Sequence, residues 1–518
     1  MIMPISTLAK TRAPRPPAVV SSRSAPGNDS ETYNDRLRLA RIARTAMLDQ
    51  GLSIALEPGA LEELQHLPLP QAARKGVADI RDLRDLPWVS IDNDDSRDLD
   101  QVTVGERLDG GKIRIRVAVA DVDQLVPKDS QLDRHARHNT TSVYTPALMF
   151  PMLPESLSTD LTSLNADQDR DALVVEMLFG PDSHLFHSEI YRARIHNHAK
   201  LAYRSVAAWL SGTGDAPRTV ANDADTATSL RIQDALAQRL TALRHRQGAL
   251  SLETPEPHAT FDGNSLTHLD LDPNNRAKQL IEEFMIAANE VTASFLEAKE
   301  FPSLRRVLKS PERWSRIAQL ALLSGTVLPD HPEATALENF LAVRRILDPN
   351  GFPDLSLAVV KLIGRGEYVV NAPGTDSPGH FGLAVKNYTH FTAPNRRYPD
   401  LISQRLVKAA LAGNSPPYSI TELDGLAHQC TDRENDATKV ERRVRKSAAA
   451  MLLASRIGEM FDAIVTGASV KGVWVRTFLP AVEGQLVRGF ETLDVGDRVR
   501  VKLIRADVER GFIDFVHE

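Results

Sequence analysis

The feature that most constrains this chain is a short acidic segment enclosed by two apolar segments. Five aspartates lie within residues 92–100, while residues 88–91 before them and residues 113–120 after them have the pattern of β-strands. Such closely spaced like charges repel one another strongly unless a cation offsets them. Strands on both sides would hold the carboxylates at fixed positions. The sequence therefore predicts a carboxylate cluster at the end of a β-sheet.

The chemistry of the acidic segment favours a hard divalent cation. Its ligands would be carboxylate oxygens without cysteine or clustered histidine, which favours magnesium, manganese or calcium over zinc. A calcium loop of the EF-hand type is disfavoured because Arg97 and Thr103 stand where it needs glycine and glutamate. A solvated acidic turn without any ligand remains an alternative. A metal-bound cluster of this kind suits hydrolysis, above all of phosphate esters.

Composition and charge set wider limits. At 518 residues and 42% hydrophobic content, the chain can bury a large core divided among about three domains. Its net charge of -6 means that any contact with nucleic acid requires a locally basic channel. The single cysteine, Cys430, excludes an internal disulfide and predicts a reducing, cytoplasmic location. We find no apolar run long enough for a transmembrane helix, and no P-loop, Rossmann fingerprint or serine–histidine–aspartate motif.

The pattern along the chain predicts an α+β fold in three parts after a disordered tail at residues 1–30. Residues 31–86 form a small helical N-terminal domain, with helices over 34–50 and 57–67, of helix-turn-helix type or of a simple docking type. Residues 87–460 form a large catalytic body with helices over 278–297, 401–412 and 436–461. Residues 461–518 contain five short strands, typical of an OB-type β-barrel. In that barrel, Trp474 and Phe478 either stack on nucleic-acid bases or fill the core.

Four ordered motifs resemble those of the ribonuclease II (RNB) family of exoribonucleases. They are IDNDDSRDLD at 91–100; NTTSVY at 139–144, followed by FPMLPE at 150–155 and LSTDLTSL at 157–164; IEE at 281–283 with AAN at 287–289; and THFTAPNRRYPD at 389–400. The resemblance covers residues 87–453, and the family also carries a C-terminal OB barrel. It implies an RNB-type catalytic body that hydrolyses single-stranded RNA processively from its 3′ end, with magnesium, to nucleoside 5′-monophosphates.

The resemblance also implies a catalytic centre. Asp92, Asp98 and Asp100 match the positions that bind the metal, magnesium or else manganese, and Asp100 matches the carboxylate most closely tied to catalysis. Arg396 matches an arginine at the scissile phosphate, where a planar guanidinium can neutralise charge that develops in the transition state. These four residues are the predicted catalytic residues.

Further residues match RNA contacts of the family. Tyr144 matches an aromatic that stacks on the last base, with a buried core tyrosine as the alternative. Tyr203 and Glu282 match contacts to the sugar near the 3′ end, where a hydrogen bond to the 2′-hydroxyl would favour RNA over DNA. Glu441 matches another contact near the 3′ nucleotides, and Arg396 also contacts RNA. The predicted partner is single-stranded RNA. The chain is predicted to bind it as a monomer, without membrane association and without an obligate protein partner.

The basic channel that the net charge requires has several candidate residues. They are Arg396, Arg397, Arg405 and the run RRVRK at 442–446. For that run, an exposed helix face without a ligand is the alternative. Weaker RNA binding at higher salt is the expected signature of such a channel.

The sequence departs from the family pattern in three places, and the first of these keeps a second hypothesis open. Gln101 stands where the family usually has a fourth aspartate, and a carboxamide lacks the charge that binds a hard cation well. Leu252 stands in place of a second stacking aromatic. The mostly helical segment before residue 87 replaces the two OB-type domains that usually precede the catalytic body. The second hypothesis is a catalytically weakened RNA-binding protein of the same fold.

Overall fold

A computed structural model of the chain describes residues 34–67, 80–253, 257–271, 274–376, 378–469 and 472–517. The predicted disordered tail at residues 1–30 lies outside these ranges. Throughout the described part of the chain, no helix is both long enough and apolar enough to cross a membrane.

The body contains runs of strands and runs of helices, as expected for an α+β fold. The helices are α1 Asp35–Asp49, α2 Pro58–Gln65, α3 Gln131–Asn139, α4 Tyr203–Leu210, α5 Arg218–Ala221, α6 Ala224–Arg246, α7 Arg276–Ala298, α8 Trp314–Leu323, α9 Ala334–Leu347, α10 Phe352–Ile363, α11 Tyr398–Leu411 and α12 Ile420–Leu453. The strands of the body are β1 Arg81–Asp82, β2 Trp88–Asp92, β3 Gln101–Arg107, β4 Ile113–Ala120, β5 Val143–Tyr144, β6 Met149–Phe150, β7 Asp169–Phe179, β8 Leu185–Ala202, β9 Pro257–Asp262, β10 Ser265–Leu271, β11 Ser303–Val307 and β12 Glu367–Asn371. The predicted fold class is thereby confirmed.

The central sheet has the strand order β1-β8-β2-β3-β4-β7. The long strand β8 pairs with β7 along residues 185–196 and with β2 along residues 197–202, so the sheet curls back on itself. Strand β4 is apolar at nearly every position and almost wholly buried, because both of its faces are covered. This arrangement brings the end of β2, at Asp92, next to the end of β8, at Ala202.

The N-terminal helices dock against the body. In α1, Leu39, Ile42 and Met47 are fully buried at the predicted helical spacing, and the helix packs on α12. Arg38 and Arg41 both contact Glu509, which lies in a turn of the C-terminal barrel. Helix α1 therefore links the catalytic body to the barrel.

The C-terminal strands close into a five-stranded barrel. They are β13 Met460–Ser469, β14 Gly472–Thr477, β15 Glu483–Arg488, β16 Arg498–Asp507 and β17 Phe512–His517, in the order β13-β14-β15-β17-β16. Val473 and Val475 fill the core, whereas Trp474 between them is partly exposed on the outside. Phe478 is also partly exposed and lies under the guanidinium of Arg498, at 5.7 Å from the ring centre. The alternative in which both aromatics fill the core is wrong.

Helix α12 differs from the predicted helix over 436–461 at both ends. It begins at Ile420, because Leu423, Leu426 and Cys430 continue the buried helical spacing into a segment that is polar on its other faces. It ends at Leu453, and β13 begins at Met460, because the next apolar residues enter the barrel core. The helix is therefore 34 residues long.

Candidate active site

The acidic segment forms the loop between β2 and β3. Asp92 is the last residue of β2, and Asp100 comes directly before β3. The loop is held from two sides: the Leu99 N–H donates to Ser163 Oγ at 3.0 Å, and the Ala120 N–H donates to the Asp100 carbonyl at 2.9 Å. The aspartates at 94 and 95 are exposed at the loop tip, whereas Asp100 is 1% exposed. The loop thus directs a subset of its carboxylates inward.

Asp100 is held by two donors from the motif at 389–400. The backbone N–H of Asn395 donates to one carboxylate oxygen at 2.8 Å, and Nε of Arg396 donates to the other at 2.9 Å. Burial raises the pKa of Asp100 to about 7, although the positive charge of Arg396 acts in the opposite direction. Because a metal ligand must be deprotonated, a divalent cation is expected to bind Asp100 more tightly above pH 7 than below it.

Arg396 belongs to a loop that ends where α11 begins. The Ser142 N–H donates to the backbone carbonyl of Arg396 at 2.9 Å, which holds the loop close to Tyr144. Its side chain is 41% exposed although Nε holds a buried carboxylate. The outer edge of the guanidinium is therefore free to meet a substrate while the inner edge stays fixed.

Tyr144 connects the acidic loop with α12. Its hydroxyl donates to Asp98 Oδ2 at 3.0 Å, and its backbone N–H donates to Glu441 Oε1 at 3.0 Å. The residue is 43% exposed, which contradicts the alternative of a core tyrosine. Glu441 reaches this point from the middle of α12. Tyr144, whose ring can stack on a base, thus contacts both Asp98, a candidate metal ligand, and Glu441, a carboxylate from a distant helix.

Tyr203 lies next to Asp92, where the acidic loop begins. It is the first residue of α4, immediately after Ala202, the β8 residue paired with Asp92. Burial raises the pKa of the Tyr203 hydroxyl, and the nearby charge of Asp92 raises it further. Tyr203 therefore stays protonated at neutral pH and can donate a hydrogen bond beside Asp92.

The three carboxylates are suitable ligands for a hard cation, but two of them already form hydrogen bonds to other side chains. Burial raises the pKa of both Asp92 and Asp100, and the charge of Asp98 adds to each increase, so a cation bound here would favour the deprotonated form of both. Within the described ranges, however, no three carboxylate, histidine or cysteine side chains converge as a ready metal site. Arg396 and the Tyr144 hydroxyl hold two of the carboxylates. A cation entering here must displace or rearrange these contacts.

Glu282 lies apart from this group. It is exposed on α7 and lines a cavity of about 350 Å³ together with Leu252, Arg244 and Leu383. No contact between Glu282 and the three aspartates is present in the part of the chain that the structure describes. The cavity therefore brings Glu282 next to Leu252, the residue at the position of the missing stacking aromatic.

Two residues near the loop were not predicted. Asn395 is fully buried, and its side-chain oxygen accepts a hydrogen bond from Thr162 Oγ1 at 2.5 Å, which fixes the backbone N–H that holds Asp100. Lys200 donates from Nζ to the carbonyl of Asp94 at 3.0 Å and to that of Ser96, and so clamps the loop tip. Asn395 and Thr162 belong to the family motifs named above, so they could have been identified from the sequence. Lys200 lies outside those motifs, and no sequence pattern marked it.

A basic groove leads from the barrel towards this centre. It encloses a cavity of about 370 Å³ between α10, α12 and the barrel, and Glu441 lies in its wall. Its basic lining residues are Lys361, Arg365, Arg442, Arg445, Lys446 and Arg476, against two acids, Glu441 and Glu483. We call this surface the basic groove.

Four of the predicted channel residues do not line the basic groove, and two of them, Arg396 and Arg397, are paired with Asp100 and Asp400 instead. Arg405 is 4% exposed and donates to Asp123, Asp133 and Tyr418, so its prediction as a channel residue is wrong. It is buried because α11 packs against the segment that follows β4, where these carboxylates need a counter-ion. Arg443 points outward and pairs with Asp49 of α1.

Comparisons with known proteins agree with this architecture. A family model described as the RNB domain matches residues 80–413, and one described as the RNase II-type exonuclease C-terminal S1 domain matches residues 459–518. Ribonuclease R of Escherichia coli strain K12 is 32% identical over 487 residues, which cover 86% of this chain and 58% of that protein. The chain thus spans little more than half the length of this relative.

Solved structures share the fold. Mycoplasma genitalium RNase R, in complex with ribose methylated single-stranded RNA, superposes with a TM-score of 0.79 at 24% identity, over 93% of this chain and 78% of that one. Yeast Ssd1, described as a pseudonuclease, superposes with a TM-score of 0.68 at 17% identity, over 89% of this chain and 57% of that one. The same fold therefore occurs in a protein described as a pseudonuclease, and fold alone does not decide activity.

Proposed function

The chain belongs to the RNB family, and on that premise we propose that it is a hydrolytic exoribonuclease that degrades single-stranded RNA from the 3′ end, depends on magnesium and releases nucleoside 5′-monophosphates. Membership was predicted from four motifs and is confirmed by the family models. The observation that carries the proposal is the pairing of buried Asp100 with half-exposed Arg396, beside Asp92 and Asp98. A guanidinium so placed can neutralise the charge that develops on a scissile phosphate.

The 3′-terminal nucleotide would be oriented by groups around the acidic loop. The exposed ring of Tyr144 offers a face for base stacking, which accepts any base. The protonated hydroxyl of Tyr203 is a donor for the sugar. Glu441 accepts a hydrogen bond from the backbone N–H of Tyr144 and so helps to fix the position of the tyrosine ring. Together these contacts would present the last phosphodiester bond to Arg396.

Magnesium, or manganese in its place, would be held by Asp92, Asp98 and Asp100, and would activate a water molecule and offset charge on the phosphate. The protein's own contribution is positional. Asn395 and Arg396 hold the Asp100 carboxylate in one orientation, and Lys200 holds the loop that carries Asp98. These residues define where an attack on phosphorus can occur.

The direct test of the activity uses oligoadenylate that is labelled in every nucleotide, with MgCl2. We expect release of AMP without accumulation of intermediates, and no release when EDTA replaces MgCl2. The second candidate, an RNA-binding protein with weakened catalysis, is favoured by Gln101 and by the engagement of Asp98 and Asp100 with Tyr144 and Arg396. RNA binding with no AMP release at any magnesium or manganese concentration would support that candidate and contradict hydrolysis.

The basic groove is the proposed RNA path, because its basic side chains outnumber its acids along one wall. We expect log Kd for oligoadenylate to rise with log salt, and the double variant Arg442→Ala, Arg445→Ala to bind more weakly. Each lost phosphate contact reduces the slope by about 0.7 for single strands, so the double variant should lose about 1.4. Fluorescence anisotropy in EDTA at several salt concentrations measures both quantities.

The control for the groove is Arg443→Ala, one residue along the same helix. Arg443 pairs with Asp49 and does not line the groove. This variant should keep the affinity and the salt slope of the unmodified protein. The slope of log Kd against log salt could instead fall equally in the control, or stay unchanged in the double variant. Either result would contradict RNA binding in the basic groove.

Cellular context is part of the same proposal. The single cysteine, Cys430, is buried and unpaired, which accords with a reducing, cytoplasmic location. We further propose that the chain acts on RNA as a monomer without an obligate protein partner.

A further inference from the structure

Four aromatic side chains form a row between Glu282 and Arg396. Tyr368 and Tyr388 each contact His390 edge to face at 5.6 Å, and Tyr388 contacts His380 in the same way at 5.8 Å. We call Tyr368, His390, Tyr388 and His380 the ring row. Both tyrosines are almost fully buried, whereas both histidines are half-buried.

The ring row spans the interval between two parts of the site. At one end, Leu383 follows His380 and lines the cavity that contains Glu282. The negative charge of Glu282 also acts on Tyr388. At the other end, His390 lies within the field of both Arg396 and Arg397. An RNA chain that reaches from Arg396 to the Glu282 cavity must therefore pass this wall.

The tautomer of His380 follows from its hydrogen bond. The Leu383 backbone N–H can only donate, and it donates to Nδ1 of His380 at 3.2 Å, so Nδ1 is an acceptor and Nε2 carries the proton. Burial lowers the pKa of His380 to about 4, and Arg306 acts in the same direction. The ring is therefore neutral near pH 7, with a single N–H at Nε2.

His390 is in the same state for a related reason. Its Nδ1 lies 2.8 Å from the hydroxyl of Tyr368, which has no other acceptor among the described residues. Because an unmade hydrogen bond from a buried hydroxyl is costly, Tyr368 donates and Nε2 of His390 carries the proton. Burial lowers the pKa of His390 well below its usual value, and Arg397 and Arg306 lower it further.

The guanidinium groups near the ring row are already paired. Arg306 is bound to Glu434, Arg397 to Asp400 and Arg244 to Glu283. In contrast, within the described residues no acceptor is bound to Nε2 of His380 or of His390. The wall therefore offers two uncharged donors in a stretch where the guanidinium charges are offset.

We propose that His380 and His390 bind the RNA backbone, each donating from Nε2–H to a phosphate oxygen of the RNA segment between Arg396 and the Glu282 cavity. This inference rests on the proposed function. An uncharged donor holds phosphate less strongly than a guanidinium does, so contacts here can break and re-form as the RNA advances by one nucleotide.

The test asks whether each histidine contacts one particular phosphate of the RNA. Oligoadenylates labelled at the 5′ end carry one methylphosphonate linkage at a defined position, which replaces a phosphate oxygen by a methyl group. Their Kd is measured by anisotropy in EDTA for the unmodified protein, His380→Phe and His390→Phe. We expect each Phe variant to bind normal RNA at least about tenfold more weakly, the worth of one hydrogen bond to a charged acceptor. At one linkage per histidine, the methylphosphonate should cost the unmodified protein affinity but cost the matching variant nothing further.

Two controls separate binding from structure. His380→Gln and His390→Gln keep an N–H donor and should recover most of the affinity, whereas His428→Phe changes an exposed histidine, 77% accessible, and should have no effect. Methylphosphonate costs that are equal in the unmodified protein and both Phe variants would overturn the proposal. So would the absence of any sensitive linkage in the unmodified protein, even where a Phe variant fails to fold.

The outcomes also distinguish this inference from the function on which it rests. RNA binding with linkage-specific coupling but no AMP release in magnesium would overturn the exoribonuclease proposal alone. AMP release without such coupling would overturn only the role of the two histidines. A chain that binds no RNA would overturn both.

Discussion

Asp100→Asn is expected to abolish RNA hydrolysis while leaving RNA binding intact. The variant keeps the size of the side chain but removes the negative charge that pairs with Arg396 and that would hold the cation. We expect the rate of AMP release to fall on the order of 10³-fold or more, the scale seen when one preorganised electrostatic group is removed from an active site. Single-turnover digestion of labelled oligoadenylate in MgCl2 measures the loss, and anisotropy in EDTA measures the affinity.

The matched control for Asp100→Asn lies in the same loop. Asp95 is exposed at the loop tip, so Asp95→Asn removes an equal charge from the loop without touching the buried pair. We expect this variant to keep most of the activity, because an exposed charge is largely screened by water and salt. Equal losses in the two variants would mean that total loop charge matters rather than the position of Asp100. Retained hydrolysis in Asp100→Asn would defeat the assignment of the catalytic carboxylate.

Arg396→Lys is expected to lower the rate of hydrolysis by about 10²- to 10³-fold with little change in KM. Lysine keeps the charge but loses the planar fork, which here uses Nε for Asp100 and leaves the outer nitrogens for a phosphate. A single ammonium cannot hold both groups in fixed geometry. The loss should therefore appear in kcat, because the contact strengthens as charge develops on the phosphate.

Two comparisons test the reason for that loss. Arg443→Lys makes the same exchange at an ion pair on the outer surface and should leave kcat unchanged. Arg396→Lys should be hardly more active than Arg396→Ala if the fork geometry is essential. If the lysine variant instead keeps near-normal kcat, positive charge alone is sufficient and the role of the fork is contradicted.

Much of the architecture could be predicted from local patterns. The acidic loop between strands, the α+β class and the five C-terminal strands all follow from residues near one another in sequence, and the structure has each of them. Family membership followed from short motifs in a fixed order. The roles of individual site residues stay predictions, because geometry alone does not demonstrate a contact with RNA or metal.

Other features were decided by packing between distant elements. Arg405 belongs to a motif-rich helix and looked available to RNA, but α11 packs on the segment after β4 and buries it among carboxylates. Trp474 alternates with valines, and nothing in the alternation says which set faces the barrel interior; the closed barrel turns the valines inward. In both cases a side chain's environment depends on a neighbour that sequence spacing does not identify.

The sequence by itself determined which chemical groups are available: aspartates within a few residues of one another, held between strands that limit their motion. Only the tertiary structure decided which groups meet. Arg396 is 296 residues from Asp100 and Glu441 is 297 residues from Tyr144, yet each pair forms a hydrogen bond. Those distances depend on the curled sheet and on the packing of α11 and α12, which are set by burial of apolar surface throughout the body. Burial is non-directional and collective, so the meeting of such groups cannot be derived from their spacing along the chain.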